Sequence, residues 1–66
     1  MDDATIKLAS DVKAYAWYNY CRGWPPVAEC NPRLLYKIVK GATTLREGLE
    51  KAAEYFKLKN PEMPQD

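Results

Sequence analysis

The chain has 66 residues, a formal net charge of +1 and no histidine. That length allows one domain, which would bury only about 60% of its unfolded surface and so needs well-packed helices, a cross-link or a partner. The 47% hydrophobic content is too high for a disordered chain. A charge near zero gives no global argument for nucleic acid, and the lack of histidine removes the commonest catalytic base and metal ligand.

The N-terminus opens with Asp2 and Asp3, negative charges suited to the start of a helix. From Ala4 to Arg22 there is no glycine or proline, which predicts one long helix stopped by Gly23. At about 100° per residue, Leu8, Val12, Tyr15 and Ala16 share one face. The opposite side is not properly polar. Ile6, Ala14, Trp17 and Cys21 lie there, interrupted by Ser10 and Lys13, and a helix apolar on two sides is usually covered on two sides. Trp17 is either a contact anchor, with Tyr18 and Tyr20 around it, or a ring packed beneath the Trp24-Pro25-Pro26 loop.

Gly23-Trp24-Pro25-Pro26 breaks the helix, and the paired prolines favour an extended segment. Cys21 and Cys30 flank this turn. They could be bridged, but the acidic N-terminus and the lack of any apolar run long enough for a membrane span favour a cytoplasmic protein with reduced thiols. Two cysteines without histidine make no zinc site within one chain.

A second helix is expected from Asn31, with Asn31 as its cap, Pro32 in its first turn and Gly41 as its stop. Leu34, Leu35, Ile38 and Val39 share one arc of the wheel. Arg33, Tyr36, Lys37 and Lys40 share the other. This basic stripe is either a solvated face or a face turned to phosphates. From Arg22 to Arg46, both included, there are five basic residues and one acid, Glu29.

A third helix is expected from Thr43 or Thr44 to Leu58, with Thr44 and Glu47 at capping-box spacing. Leu45, Leu49, Ala52 and Phe56 form its apolar face. Gly48 costs about 1 kcal/mol relative to alanine inside a helix, which suggests a packing reason for it. Glu47, Glu50 and Glu54 read as a solvated face with Lys51 and Lys57, since Glu47–Lys51 is a favourable i, i+4 pair. No polar constellation accompanies these acids, so no enzyme and no cofactor is expected. After Leu58, Asn60-Pro61 and Pro64 predict a fraying tail over 61–66 behind a single domain over 1–60.

The run Leu35-Tyr36-Lys37-Ile38-Val39-Lys40-Gly41, with Leu45, the segment Leu49-Glu50-Lys51-Ala52-Ala53-Glu54-Tyr55-Phe56 and Leu58, resembles the back half of Cro/C1-type helix-turn-helix domains. The resemblance implies a recognition helix ending at Gly41, with a helix packed behind it. It implies that Arg33, Tyr36, Lys37 and Lys40 face duplex DNA, in a regulator acting as a homodimer.

Together these features predict a small all-α domain in which a long N-terminal helix packs against a helical hairpin. Its core should comprise Leu8, Val12, Tyr15, Leu34, Leu35, Ile38, Val39, Leu45, Leu49, Ala52 and Phe56. Two functions compete. One is a DNA-binding transcriptional regulator using Arg33, Tyr36, Lys37 and Lys40. The other is a protein-binding module or small inhibitor acting through Trp17, Tyr18, Cys21 and Trp24, without nucleic acid or membrane.

Overall fold

The computed structural model describes residues 2–18, 22–24 and 31–64. Helix α1 spans Asp3–Lys13 and runs directly into a π-helical segment, Ala14–Tyr18. Helix α2 spans Pro32–Val39 and α3 spans Leu45–Tyr55. Each of the three packs against the other two, and there is no strand among the described residues. The fold is a small all-α domain.

The start and stop signals of α2 and α3 act as their residue types require. Asn31 caps α2, its Oδ1 accepting the Arg33 amide at 3.0 Å, with Pro32 in the first turn. Lys40 is already extended, and Gly41 turns the chain with φ +93°, a left-handed value that suits glycine. Thr44 caps α3, its hydroxyl oxygen accepting the Glu47 amide at 3.2 Å. The Glu47 carboxylate accepts the Thr43 hydroxyl at 2.6 Å and the Thr44 hydroxyl at 3.3 Å. The Thr43 bond, ahead of the others, holds Glu47 below the usual carboxylate range. Glu47 thus serves the cap. The i, i+4 ion pair on this helix is Arg46–Glu50, at 3.5 Å, in place of the expected Glu47–Lys51.

The C-terminus of α3 is closed without glycine. Lys57 adopts φ +57°, its amide donates to the Glu54 carbonyl at 3.2 Å, and the Leu58 amide donates to the Ala53 carbonyl at 2.9 Å. This is the Schellman arrangement, in which the residue after the left-handed one docks back on the last turn. Leu58 is half-buried against the core, and that apolar docking offsets the cost of a left-handed lysine.

The core differs from the expected one mainly along the first helix. Val12, Val39, Leu49 and Ala52 are fully buried, and Leu8, Ala9, Ala16, Trp17, Trp24, Leu35 and Ala53 complete the cluster. Trp17 belongs to it because of the π segment. In an α-helix Trp17 would lie about 140° round from Val12. In a π turn, bonded i to i+5, residues five apart come to the same side, so Trp17 follows Val12 into the core. Tyr15 is only half-buried. Leu34 is half-buried and lies outside the cluster, because Leu35 and Val39, one turn apart, set the inward direction of α2.

Gly48 is explained by α1. A Cβ built there would sit 2.9 Å from Val12 Cγ2 and 3.4 Å from Leu8. Val12 has no exposure and little room to move. Gly48→Ala therefore gains about 1 kcal/mol of helix propensity but meets an overpacking cost of about 1–3 kcal/mol. The expected net result is a lower melting temperature, read by circular dichroism. A higher one would show that α1 and α3 are not in contact at Gly48.

Residues 61–64 form a strap across the fold. The Glu62 amide donates to the Arg22 carbonyl at 2.8 Å and its carboxylate accepts the Arg22 amide at 3.0 Å. The Glu62 carbonyl accepts Trp24 Nε1–H at 2.9 Å. Arg46 reaches the Pro64 carbonyl at 3.3 Å, and Met63 packs on the core. Gly23, at φ +84°, passes under the strap so closely that a Cβ would lie 2.7 Å from Pro61 Cα. The strap holds because it satisfies the Trp24 N–H and covers apolar surface, which Asn60-Pro61 and Pro64 do not announce in the sequence.

Candidate nucleic-acid interface

Helix α2 carries apolar residues on one side and cations on the other. With Leu35 and Val39 anchored inward, Arg33 and Lys37 are one turn apart and turn outward, and both are exposed. Lys40 is exposed too, but it lies one residue past the helix end, in extended backbone. Arg33 and Lys37 lie about 6 Å apart along the axis at 1.5 Å per residue.

Among the described residues no carboxylate pairs with Arg33, Lys37 or Lys40. The ion pairs among the described residues are Lys7–Asp11 on α1 and Arg46–Glu50 on α3. Helix α2 itself contains no acid. Stability of the helix accounts for part of the pattern, because Lys37 and Lys40 sit at the negative end of the backbone dipole. It does not account for Arg33, a cation in the first turn, where the dipole opposes positive charge.

Tyr36 does not join the outward stripe. It is half-buried, leaning on the start of α1, where its hydroxyl accepts the Asp2 amide at 3.2 Å. Its position about 60° from Val39 on the wheel puts it on the flank of the core, not opposite it.

Comparison with protein-family models, curated proteins and solved structures finds no match.

The residues expected to form a protein interface divide in two. Trp17, 8% exposed, and Trp24 are core residues. Their rings meet edge to face at 5.9 Å, and Trp17 meets Phe56 in the same manner at 5.9 Å. Trp17 is therefore packed on Trp24 and Phe56, and Trp17 and Trp24 offer no surface anchor. Tyr18 is 60% exposed, with the Lys13 ammonium 5.5 Å from its ring centre. Cys21 lies outside the described residues, as do Cys30, Tyr20, Pro25 and Pro26. Among the described residues no group of three or more acids and thiols could hold a metal ion, and no helix is long and apolar enough to cross a membrane.

The sequence reading missed a groove between α1 and α2. It has a volume of about 310 Å³ and is lined by Ile6, Ala9, Ser10 and Lys13 of α1 and by Pro32, Arg33, Leu35 and Tyr36 of α2. A signal was present: Ile6 lay on the second apolar side of the first helix, with Ser10 and Lys13 interrupting that side.

Proposed function

We propose that this protein binds duplex DNA through the outer side of α2, as a small regulator of transcription. The observation that carries the reading is the exposed set Arg33, Lys37 and Lys40, without an ion-pair partner among the described residues and opposite an apolar side, with Arg33 placed against the helix dipole. Cations in this arrangement displace condensed counterions from phosphates, which supplies sequence-independent affinity. Arg33, near the N-terminus of the helix, is the residue suited to a bidentate contact with guanine.

The likeness of the α2–α3 segment to Cro/C1-type domains supports the same assignment of α2. The path from α1 to α2 differs from that family's motif. Residue 18 ends the described helical backbone and residue 32 begins α2, whereas a helix-turn-helix joins its helices through about 3–4 residues. In this reading α2 is the DNA-contacting helix without the usual preceding partner. A symmetric pair of copies would double the number of phosphate contacts.

The test is a mobility-shift titration of duplex DNA with the wild-type chain, Arg33→Ala, Lys37→Ala and the pair. Each single substitution should weaken binding, by about 1–3 kcal/mol for Arg33 if it reads a base, and the pair should weaken it further. Melting temperatures should stay unchanged, because both side chains are exposed. Wild-type affinity in the double variant would remove α2 as the contact surface.

A further inference from the structure

We propose that the groove between α1 and α2 is a docking site for a partner protein's acidic segment bearing one large apolar side chain. The floor is apolar: Ala9 and Leu35 are buried beneath it, and Ile6 and Tyr36 stand along it. Ile6 is 44% exposed in the free chain, an apolar side chain that an occupant would cover.

Charge complementarity selects the occupant. Among the described residues, the charged ones lining the groove are Lys13 on one wall and Arg33 on the other, and no carboxylate is among them. The Lys13 ammonium is set over the Tyr18 ring, which positions it at the rim without neutralising it. Asp2 lies at the Tyr36 end, but its carboxylate is turned to the Thr5 hydroxyl at 2.8 Å. An apolar floor between two cations fits a side chain such as Leu or Phe flanked by carboxylates. It repels a basic segment. The inference does not rest on DNA binding. Arg33 is common to both surfaces, whereas Lys13, Ser10 and Ile6 belong to the groove alone.

The experiment is a titration of the ¹⁵N-labelled chain with blocked peptides carrying a central Leu or Phe between two pairs of glutamates, with lysine-flanked peptides as counterparts. The glutamate peptides should shift the amides of Ile6, Ala9, Ser10, Lys13 and Tyr36, and the lysine peptides should not. Lys13→Glu should weaken the glutamate peptides by about tenfold or more. Ser10→Trp, which fills the groove from an exposed position, should abolish binding with the melting temperature unchanged, and it serves if Lys13→Glu fails to fold. Lys37→Ala should leave peptide binding intact while weakening DNA, so failure of either reading is visible separately. The proposal is overturned if no peptide moves these amides at millimolar concentration, or if the lysine peptides bind as well. It is also overturned if dodecanoate binds there and the peptides do not, which would assign the groove to an anionic lipid. The same holds if the shifts appear on raising protein concentration alone, which would assign it to a second copy.

Discussion

Leu49→Ala should leave the protein unfolded, or with a melting transition lowered by about 15 °C or more. Leu49 has no exposure and sits on the inner side of α3, in the one cluster that joins all three helices. Truncating a buried leucine costs about 2–5 kcal/mol, the upper end applying where the surroundings cannot collapse into the cavity. They cannot do so easily here, because Gly48 already brings α1 against α3. A domain below about 70 residues has only about 3–5 kcal/mol to lose, and each kcal/mol moves the midpoint by about 4–8 °C at this size. A thermal melt followed at 222 nm reads the effect directly. A shift under 5 °C would mean that Leu49 is not in the core.

Trp17→Ala should be about as severe, which separates a core role from an interface role. Trp17 touches two other rings, Trp24 and Phe56, so its loss opens the junction between the first helix, the 22–24 turn and the end of α3. The usual cost of such a truncation is about 3–5 kcal/mol. Were Trp17 a surface anchor, the variant would melt like the wild type and lose only a complex. Trp17→Phe sharpens the comparison. The Trp17 Nε1–H is buried without a hydrogen-bond partner among the described residues, and an unmade bond of this kind costs about 1–3 kcal/mol. Phenylalanine discards that N–H while keeping a ring, so Trp17→Phe should retain a cooperative melt where Trp17→Ala does not. Equal loss in both variants would contradict this account of the cluster.

These two positions also show where the sequence speaks and where it does not. Leu49 was legible because α3 is a regular α-helix with local caps at both ends. Thr44, Glu47 and the i, i+4 spacing of its leucines carry all the information needed. Asn31, Pro32 and Gly41 did the same for α2. Trp17 was not legible, because its placement depends on a π segment, and a wheel drawn at 100° per residue puts it on the side away from Val12, although it places Ala16 correctly. Tyr36 missed for a gentler reason: its hydroxyl finds the Asp2 amide, 34 positions away, a contact that no local pattern encodes. The strap over 61–64 is similar, held by Glu62 to Arg22 and Trp24 across about forty residues. For the candidate site, Arg33 and Lys37 follow from helical periodicity, whereas Lys40 lies past the helix end. The groove does not, since it exists only once α1 and α2 are placed side by side.

The salt dependence of duplex DNA binding tests the role of α2 most directly. Fluorescence anisotropy should give an association constant that falls linearly with salt on a double logarithmic scale. Two lysines on phosphates, releasing one counterion each, predict a slope near −1.8 per chain, so affinity falls roughly twelve-fold between 50 and 200 mM salt. Replacing Lys37 or Lys40 with alanine should each make the slope shallower by about one. Binding indifferent to salt, a slope untouched by both substitutions, or no binding at 50 mM would contradict a DNA-binding α2.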